Sequence, residues 1–354
     1  MSASYRAIDW NRQKRLYDLT VVGLLALGLA VFIGVSLWVS PHFTAETLLI
    51  RGLAVSALLL LHVILCLGPL ARLDPRFLPM LYNRRHLGVT LFVLALAHGA
   101  LSLVQFHALG DENPLVSVFT AYRSDYRVVA DGRINLAHFP FEPFGLFALV
   151  ILFVMAATSH DFWLRNMGAA FWKTLHLGVY AAYGLVLAHL ALGVLQSERS
   201  LLYPLLLAAG FGTVAGLHLL AAYREGRVDK EQSLAGADGF YDVCGLVEVR
   251  EGRGKVVVAG GHRVALFRHE GRLFATSNVC RHQGGPLGEG RIVDGCITCP
   301  WHGWNYQPAD GCSPPPFEEV IATYETRVIG DRVWVKGIPN PMGTRSAGST
   351  ITTA

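Results

Sequence analysis

Six stretches without a single Asp, Glu, Lys or Arg organise the first two-thirds of the chain: residues 19–40, 52–70, 87–106, 143–159, 174–196 and 201–222. A helix rises about 1.5 Å per residue, so roughly 20 apolar residues cross the hydrocarbon core of a bilayer. Most of the six meet that length, and 143–159 sits at the short limit. Residues 1–18 before them form a basic tail. After them, residues 223–245 are polar and glycine-containing and read as a linker. From about residue 246 the period changes from helical to two, in runs such as Val256-Val257-Val258, Val264-Ala265-Leu266-Phe267 and Val333-Trp334-Val335. Turn pairs such as Glu270-Gly271 and Gly330-Asp331 separate these runs, the mark of short antiparallel strands. The expected fold class is therefore multidomain. An all-α bundle of six transmembrane helices (residues 19–222) is followed by a small all-β domain (246–338) and a flexible Ser/Thr-rich tail (339–354).

Composition agrees with a membrane chain. Charged residues are 16% of the total, against about 25% in ordinary soluble domains, and the mean hydropathy is +0.39. A net charge of +4, with no basic stripe interleaved with aromatics, argues against nucleic acid as a partner. The first apolar run is too long for a cleavable signal peptide and lacks a small-residue cleavage site. Six spans put both ends on one side. The basic tail, the loops 71–85 and 160–173 and the segment 223–230 hold thirteen Lys and Arg. The opposite loops hold five, Arg51, Arg123, Arg127, Arg133 and Arg199. Positive residues stay inside, so the expectation is a multi-pass protein of the cell (inner) membrane. Its N-terminus, C-terminus and β domain would be cytoplasmic. The outer loop 106–142 is acidic and aromatic and suggests no role.

Two pairs of metal-ligating residues stand in the β domain. Cys280-Arg281-His282 is followed, after sixteen residues, by Cys299-Pro300-Trp301-His302. Two thiolates and two imidazoles are the ligand set of a Rieske [2Fe–2S] cluster, in which two histidines take the place of cysteines on one iron. The remaining cysteines, Cys66, Cys244, Cys296 and Cys312, read as packing residues or spare thiols, since six cysteines so spaced are no secreted disulfide framework. The runs Cys280-Arg-His-Gln-Gly-Gly-Pro-Leu-Gly and Cys299-Pro-Trp-His-Gly-Trp, with Gly311 ahead of Pro314-Pro315-Pro316, resemble Rieske ferredoxins and the Rieske domains of oxygenases over residues 246–337. In the respiratory type a disulfide joins the two ligand loops; by the resemblance, Gly285 and Trp301 stand at those positions here. Trp304 replaces the serine that would hydrogen-bond the cluster, while Tyr306 is kept. Fewer hydrogen bonds to sulfur imply a lower potential. No iron-binding catalytic domain follows, which argues against an oxygenase.

Ionisable side chains inside spans are uncommon and usually functional. Here they are His62, His86, His98, His176, His189 and His218. Arg84-Arg85-His86-Leu87-Gly88 with Ala97-His98, and Trp172-Lys173-Thr174-Leu175-His176 with His189, resemble the ferric-reductase-like transmembrane domain. That superfamily includes ferric reductases, NADPH oxidases and the haem subunit of the methionine sulfoxide reductase system. The resemblance implies that His98 and His189 are opposite axial ligands of a b-type haem, and that His176 holds a second, inner one. The oxidases carry the partner of His176 where this chain has Arg84, so His86 and His62 are the substitutes and the count is one haem or two. Thirteen residues leave His176 and His189 about 140° apart on an ideal wheel, so a bend or rotation must reconcile them.

Together these readings describe a membrane electron-transfer protein, an oxidoreductase component. Electrons would pass between the cytosolic [2Fe–2S] cluster and haem b in the bundle, towards a ferric, oxygen or periplasmic acceptor. No Gly-rich dinucleotide fingerprint follows a strand, so a separate cytosolic reductase or ferredoxin is the expected donor. The alternatives are exchange with the quinone pool, or a redox sensor without turnover. Redox potentials separate the first alternative, and absence of exchange between cluster and haem marks the second.

Overall fold

The structure, a computed structural model, describes residues 12–77, 80–81, 83–110, 113–120, 129–130, 133–134, 141–167, 169–197, 200–230, 234–236, 238–301 and 303–351. Most of the outer loop lies outside these residues. The described parts of 6–66 and 83–215 form one compact unit, and those of 67–82 and 216–351 form another.

The first unit is helical. Its helices are α1 (Arg12–Val39), α2 (Ala45–Leu73, whose last turns belong to the second unit), α3 (Arg84–His107), the short α4 (Pro114–Thr120), α5 (Glu142–Ala157), and α6 (Asp161–Met167). They are followed by α7 (Ala169–His176), α8 (Gly178–Leu192), α9 (Val194–Ser197) and α10 (Leu202–Lys230), whose last turns also belong to the second unit. Five described helical stretches are long and apolar enough to cross a membrane, 14–39, 45–73, 84–107, 171–192 and 202–227, and α5 is a sixth, shorter apolar helix. Leucines and valines along α1 and α10, such as Leu19, Leu27, Leu205 and Leu219, stay exposed, as side chains facing lipid would be. The fifth expected span is interrupted at Leu177, between α7 and α8. This turn keeps near-helical backbone angles at Leu177 (φ −66, ψ −15). It falls where Gly178 packs closely on α5, since a Cβ there would lie 3.3 Å from Ile151.

The second unit is an antiparallel β domain joined to two helix ends. Strands β4 (Phe240–Gly245), β12 (Thr326–Ile329) and β13 (Arg332–Lys336) make one sheet with β3 (Leu234–Ala235). Strands β5 (Gly254–Ala259), β6 (His262–His269), β7 (Arg272–Ser277) and β11 (Thr323–Tyr324) make a second, and β8 (Arg291–Val293), β9 (Cys296–Thr298) and β10 (Asn305–Tyr306) a third. The remaining pair β1 (Val129–Ala130) and β2 (Arg133–Ile134) belongs to the outer loop of the first unit. The turn between β6 and β7 places both Glu270 (φ 50) and Gly271 (φ 69) in the left-handed region, the form that matches the twist of a tight hairpin. Strand β6 is buried on both faces. Val264 and Leu266 enter one core with Val257, Leu273 and Val333, while Ala265 and Phe267 enter another with Leu287, Ile297, Tyr306, Cys280 and Cys299. Alternation along a strand sends neighbours to opposite faces, so this one strand joins the base of the domain to its metal-binding end.

Two boundaries differ from the sequence reading. The expected linker 223–245 is helical up to Lys230, and its last residues are strand β4, paired with β13. The sequence pattern hid β4 because Phe240-Tyr241-Asp242-Val243-Cys244-Gly245 alternates poorly. The expected flexible tail is tied down instead: β14 (Ser349–Thr350) pairs with β7, and Ile351 enters the first core. A Ser/Thr-rich composition concealed strand hydrogen bonding and one apolar anchor.

Within this unit a cavity of about 130 Å³ is lined by Arg72, Arg224, Glu225, Arg263, Asn278 and Glu289, among others. Glu225 pairs with Arg72 (3.1 Å) and Arg263 (3.4 Å). Burial pushes the Glu289 carboxyl up to about 7; Arg72 pulls against that rise and Glu225 adds to it. Because the folded value exceeds the ordinary 4.5, the proton stabilises the fold. That contribution is complete below pH 4.5 and lost as pH rises through about 7. We expect Glu289→Gln to raise Tm above neutral pH and to flatten its fall between pH 4.5 and about 7. Superimposable Tm–pH curves for variant and wild type would contradict this. Ile351→Ala should cost about 2 kcal/mol and lower the temperature at which the β domain melts, measured in detergent.

Candidate metal centre and membrane histidines

Both ligand loops are built on one local plan. Gly284 N–H donates to the Cys280 carbonyl (2.7 Å), and Gly303 N–H donates to that of Cys299 (3.0 Å). Each loop therefore turns back on its cysteine, with Gly284 (φ 72) and Gly303 (φ 69) in the left-handed region open to glycine. The base of the first loop is clamped by buried Asn278, whose Oδ1 accepts from Gly288 N–H (2.7 Å) and whose carbonyl accepts from Leu287 N–H (2.8 Å). Sequence reasoning missed Asn278, because one asparagine before a cysteine carries no pattern.

The loops meet at the thiols. Cys280 and Cys299 are 1% and 2% exposed, and a Cβ on Gly285 would stand 2.7 Å from Cys299 Sγ. Glycine at 285 thus lets the first loop lie directly against the second loop's thiol, at the position where the respiratory type was expected to carry a disulfide cysteine. No disulfide joins any of the six cysteines. Hydrogen bonding with Cys299 Sγ draws the Cys280 thiol below its ordinary range against the opposing effect of burial, with further help from Tyr306. Burial raises the Tyr306 phenol, and the Cys280 charge raises it further, so the phenol keeps its proton. Its O–H can donate to Cys280 Sγ at 3.4 Å while its oxygen accepts from Arg281 N–H at 3.0 Å. The hydrogen bond expected of Tyr306 is therefore present. Trp304, at the expected serine position, stacks on His282 and donates to Ser313 Oγ.

His302 lies outside the described residues. Among the described residues no three His, Cys, Asp or Glu side chains gather to hold a single ion. A binuclear cluster asks for something different, a thiol pair on one iron and an imidazole pair on the other. Adjacent buried thiols, one already drawn towards thiolate, and a glycine contact that keeps the loops together fit that group.

In the helical unit the histidines differ in how their rings are held. His98 Nδ1 lies 3.1 Å from the Ile50 carbonyl, and His189 Nδ1 lies 3.0 Å from the Phe141 carbonyl. In each case the acceptor belongs to another segment, so Nδ1 carries the proton and Nε2 the lone pair. His189 also lies against α5 at Gly145, where a Cβ would stand 2.9 Å from the ring. His62 is engaged at both nitrogens, with the Leu58 carbonyl (2.8 Å) and the Tyr183 hydroxyl (3.1 Å). His86 Nδ1 meets the Asp18 carboxylate at 2.9 Å. Both nitrogens of His176 face carbonyls, Trp172 at 2.9 Å and Met155 at 3.2 Å, and its ring stacks on Trp172.

Comparison with known proteins covers both halves. Residues 239–325 match the Rieske [2Fe-2S] domain, and residues 51–187 match the ferric reductase like transmembrane component. The chain is 32% identical over 103 residues to the ferredoxin component of the alkene monooxygenase system of Xanthobacter autotrophicus, covering 29% of this chain and 84% of that protein. It is 31% identical over 99 residues to the naphthalene 1,2-dioxygenase ferredoxin component of Pseudomonas aeruginosa, covering 27% of this chain and 93% of that protein. Cholesterol 7-desaturase nvd 1 of Ciona intestinalis is 33% identical over 89 residues, 25% of this chain but only 19% of that protein. The shared region in all three is about the length of one Rieske domain. A membrane redox protein is thus described by both halves, and the chain belongs to the Rieske [2Fe–2S] family, with a ferric-reductase-like transmembrane component preceding the Rieske domain.

Proposed function

We propose that this protein moves single electrons between a Rieske cluster held by Cys280, His282, Cys299 and His302 and a b-type haem held by His98 and His189. When bound, each group supplies a one-electron couple. The observation that carries the haem assignment is the shared ring geometry of His98 and His189. Each spends its Nδ1 proton on a backbone carbonyl of a different segment, which fixes the ring and presents Nε2 as a neutral donor. His62 supports a ligand role less well, since Tyr183 already occupies its Nε2. His176 is the candidate for a second haem, provided its ring turns away from the Met155 carbonyl.

At the other centre, Asn278 and Gly285 keep the loops in register, and Tyr306 stabilises the Cys280 thiolate. The distribution of Lys and Arg supports a cytoplasmic Rieske domain in the inner membrane. The ferredoxin components among the relatives suggest a carrier role, with a cytosolic reductase or another ferredoxin as donor. The acceptor is of ferric, oxygen or periplasmic redox class.

His98→Ala or His189→Ala should abolish the low-spin bis-histidine haem spectrum and leave the Rieske EPR signal intact. Full haem content in both variants, by pyridine haemochrome assay, would sink the ligand assignment. Gly285→Ala should do the reverse, because its Cβ would crowd Cys299 Sγ: Rieske signal lost, haem spectrum kept. A wild-type amount of cluster in that variant would show that the loops do not need the contact.

A further inference from the structure

The indole of Trp304 lies on the His282 imidazole with ring centroids 4.4 Å apart and planes within 6° of parallel. So close to parallel, the pair is a true stack and not an edge contact. The indole is itself fixed. Its Nε1–H donates to Ser313 Oγ at 3.0 Å, and Ser313 is buried, with its backbone N–H on the Glu319 carbonyl at 2.8 Å. Phe317 packs on the same indole at 4.4 Å with its plane tilted by 57°. Trp304 also joins the apolar core that contains Cys280, Cys299 and Tyr306. Ser313, itself held by the Glu319 carbonyl, and Phe317 thus hold one flat apolar surface against one imidazole.

We propose that Trp304 is a positioning residue for the Rieske centre: it sets the plane of the His282 ring and keeps water from one face of it, and so holds the reduction potential low. The inference rests on His282 being a ligand. Its physical basis is that adding an electron makes the cluster more negative. Water would solvate that added charge, whereas an indole in its place does not. A fixed ring plane also restricts how the imidazole meets the iron, which the anisotropy of the EPR spectrum reports. Burial and missing sulfur hydrogen bonds would then act in the same direction.

The test uses full-length protein in detergent, with iron and sulfide assayed in every sample, anaerobic redox titration of the cluster, and EPR of the reduced state. Trp304→Ala should raise the potential and change the g-anisotropy at unchanged cluster content, while Trp304→Phe, which retains a stacking ring, stays close to wild type. Ser313→Ala leaves every ring in place but frees the indole. It should move the potential in the same direction as Trp304→Ala, by less. If Trp304→Ala takes up no cluster, Ser313→Ala decides alone: a rise supports the inference and an unmoved potential overturns it. An unchanged potential and spectrum in Trp304→Ala at full cluster content also overturns it and leaves the ligand assignment standing. A wild-type protein without a Rieske EPR signal removes the ligand assignment and this inference together.

Discussion

The contact between Gly285 and Cys299 Sγ is the constraint on which the metal-binding end depends. Two loops far apart in sequence must bring their cysteines side by side in a dry environment, where an unpaired thiolate is costly. The respiratory type solves the problem covalently. Here the loops are held by the absence of a side chain, by backbone hydrogen bonds that repeat in each loop, and by Asn278 at the base. Such a solution would suit the proposed cytoplasmic location of this domain, since a loop disulfide would not persist in a reducing compartment. It also leaves the loops' relative position to packing, so the residues around them acquire influence over the centre they hold.

The proposed haem site rests on one device. A histidine that ligates iron needs its other nitrogen committed, or its tautomer and ring plane drift. His98 and His189 meet this with carbonyls from segments other than their own helices. His62 uses its own helix and a tyrosine, which makes it a tie between helices. The same residue type therefore separates into two classes by what Nδ1 and Nε2 touch.

Much of this was legible from residues alone, and the failures have physical causes. Charge-free runs located the spans because lipid tolerates little else, although the fifth is interrupted at Leu177, a feature hydropathy does not encode. Val256–Val258, Val264–Phe267 and Val333–Val335 became strands as their alternation implied. Strand β4 and the pairing of Ser349–Thr350 were missed, since polar edge strands resemble linkers and tails. Four candidate ligands were visible from spacing, one of them (His302) outside the described residues, but the stack of Trp304 on His282 was not. The sequence shows only that a hydrogen-bonding serine is missing; where the replacement indole points depends on Ser313, nine positions away.

Strand β6 ties the two sides of the β domain to one register. Small Ala265 and large Phe267 share a core with both thiols, while Val264 and Leu266 pack in the other core, so a slip of one position would exchange the two sets and leave neither side filled. A substitution on the side remote from the thiols would therefore be felt beside them as well, through the alignment of a single strand.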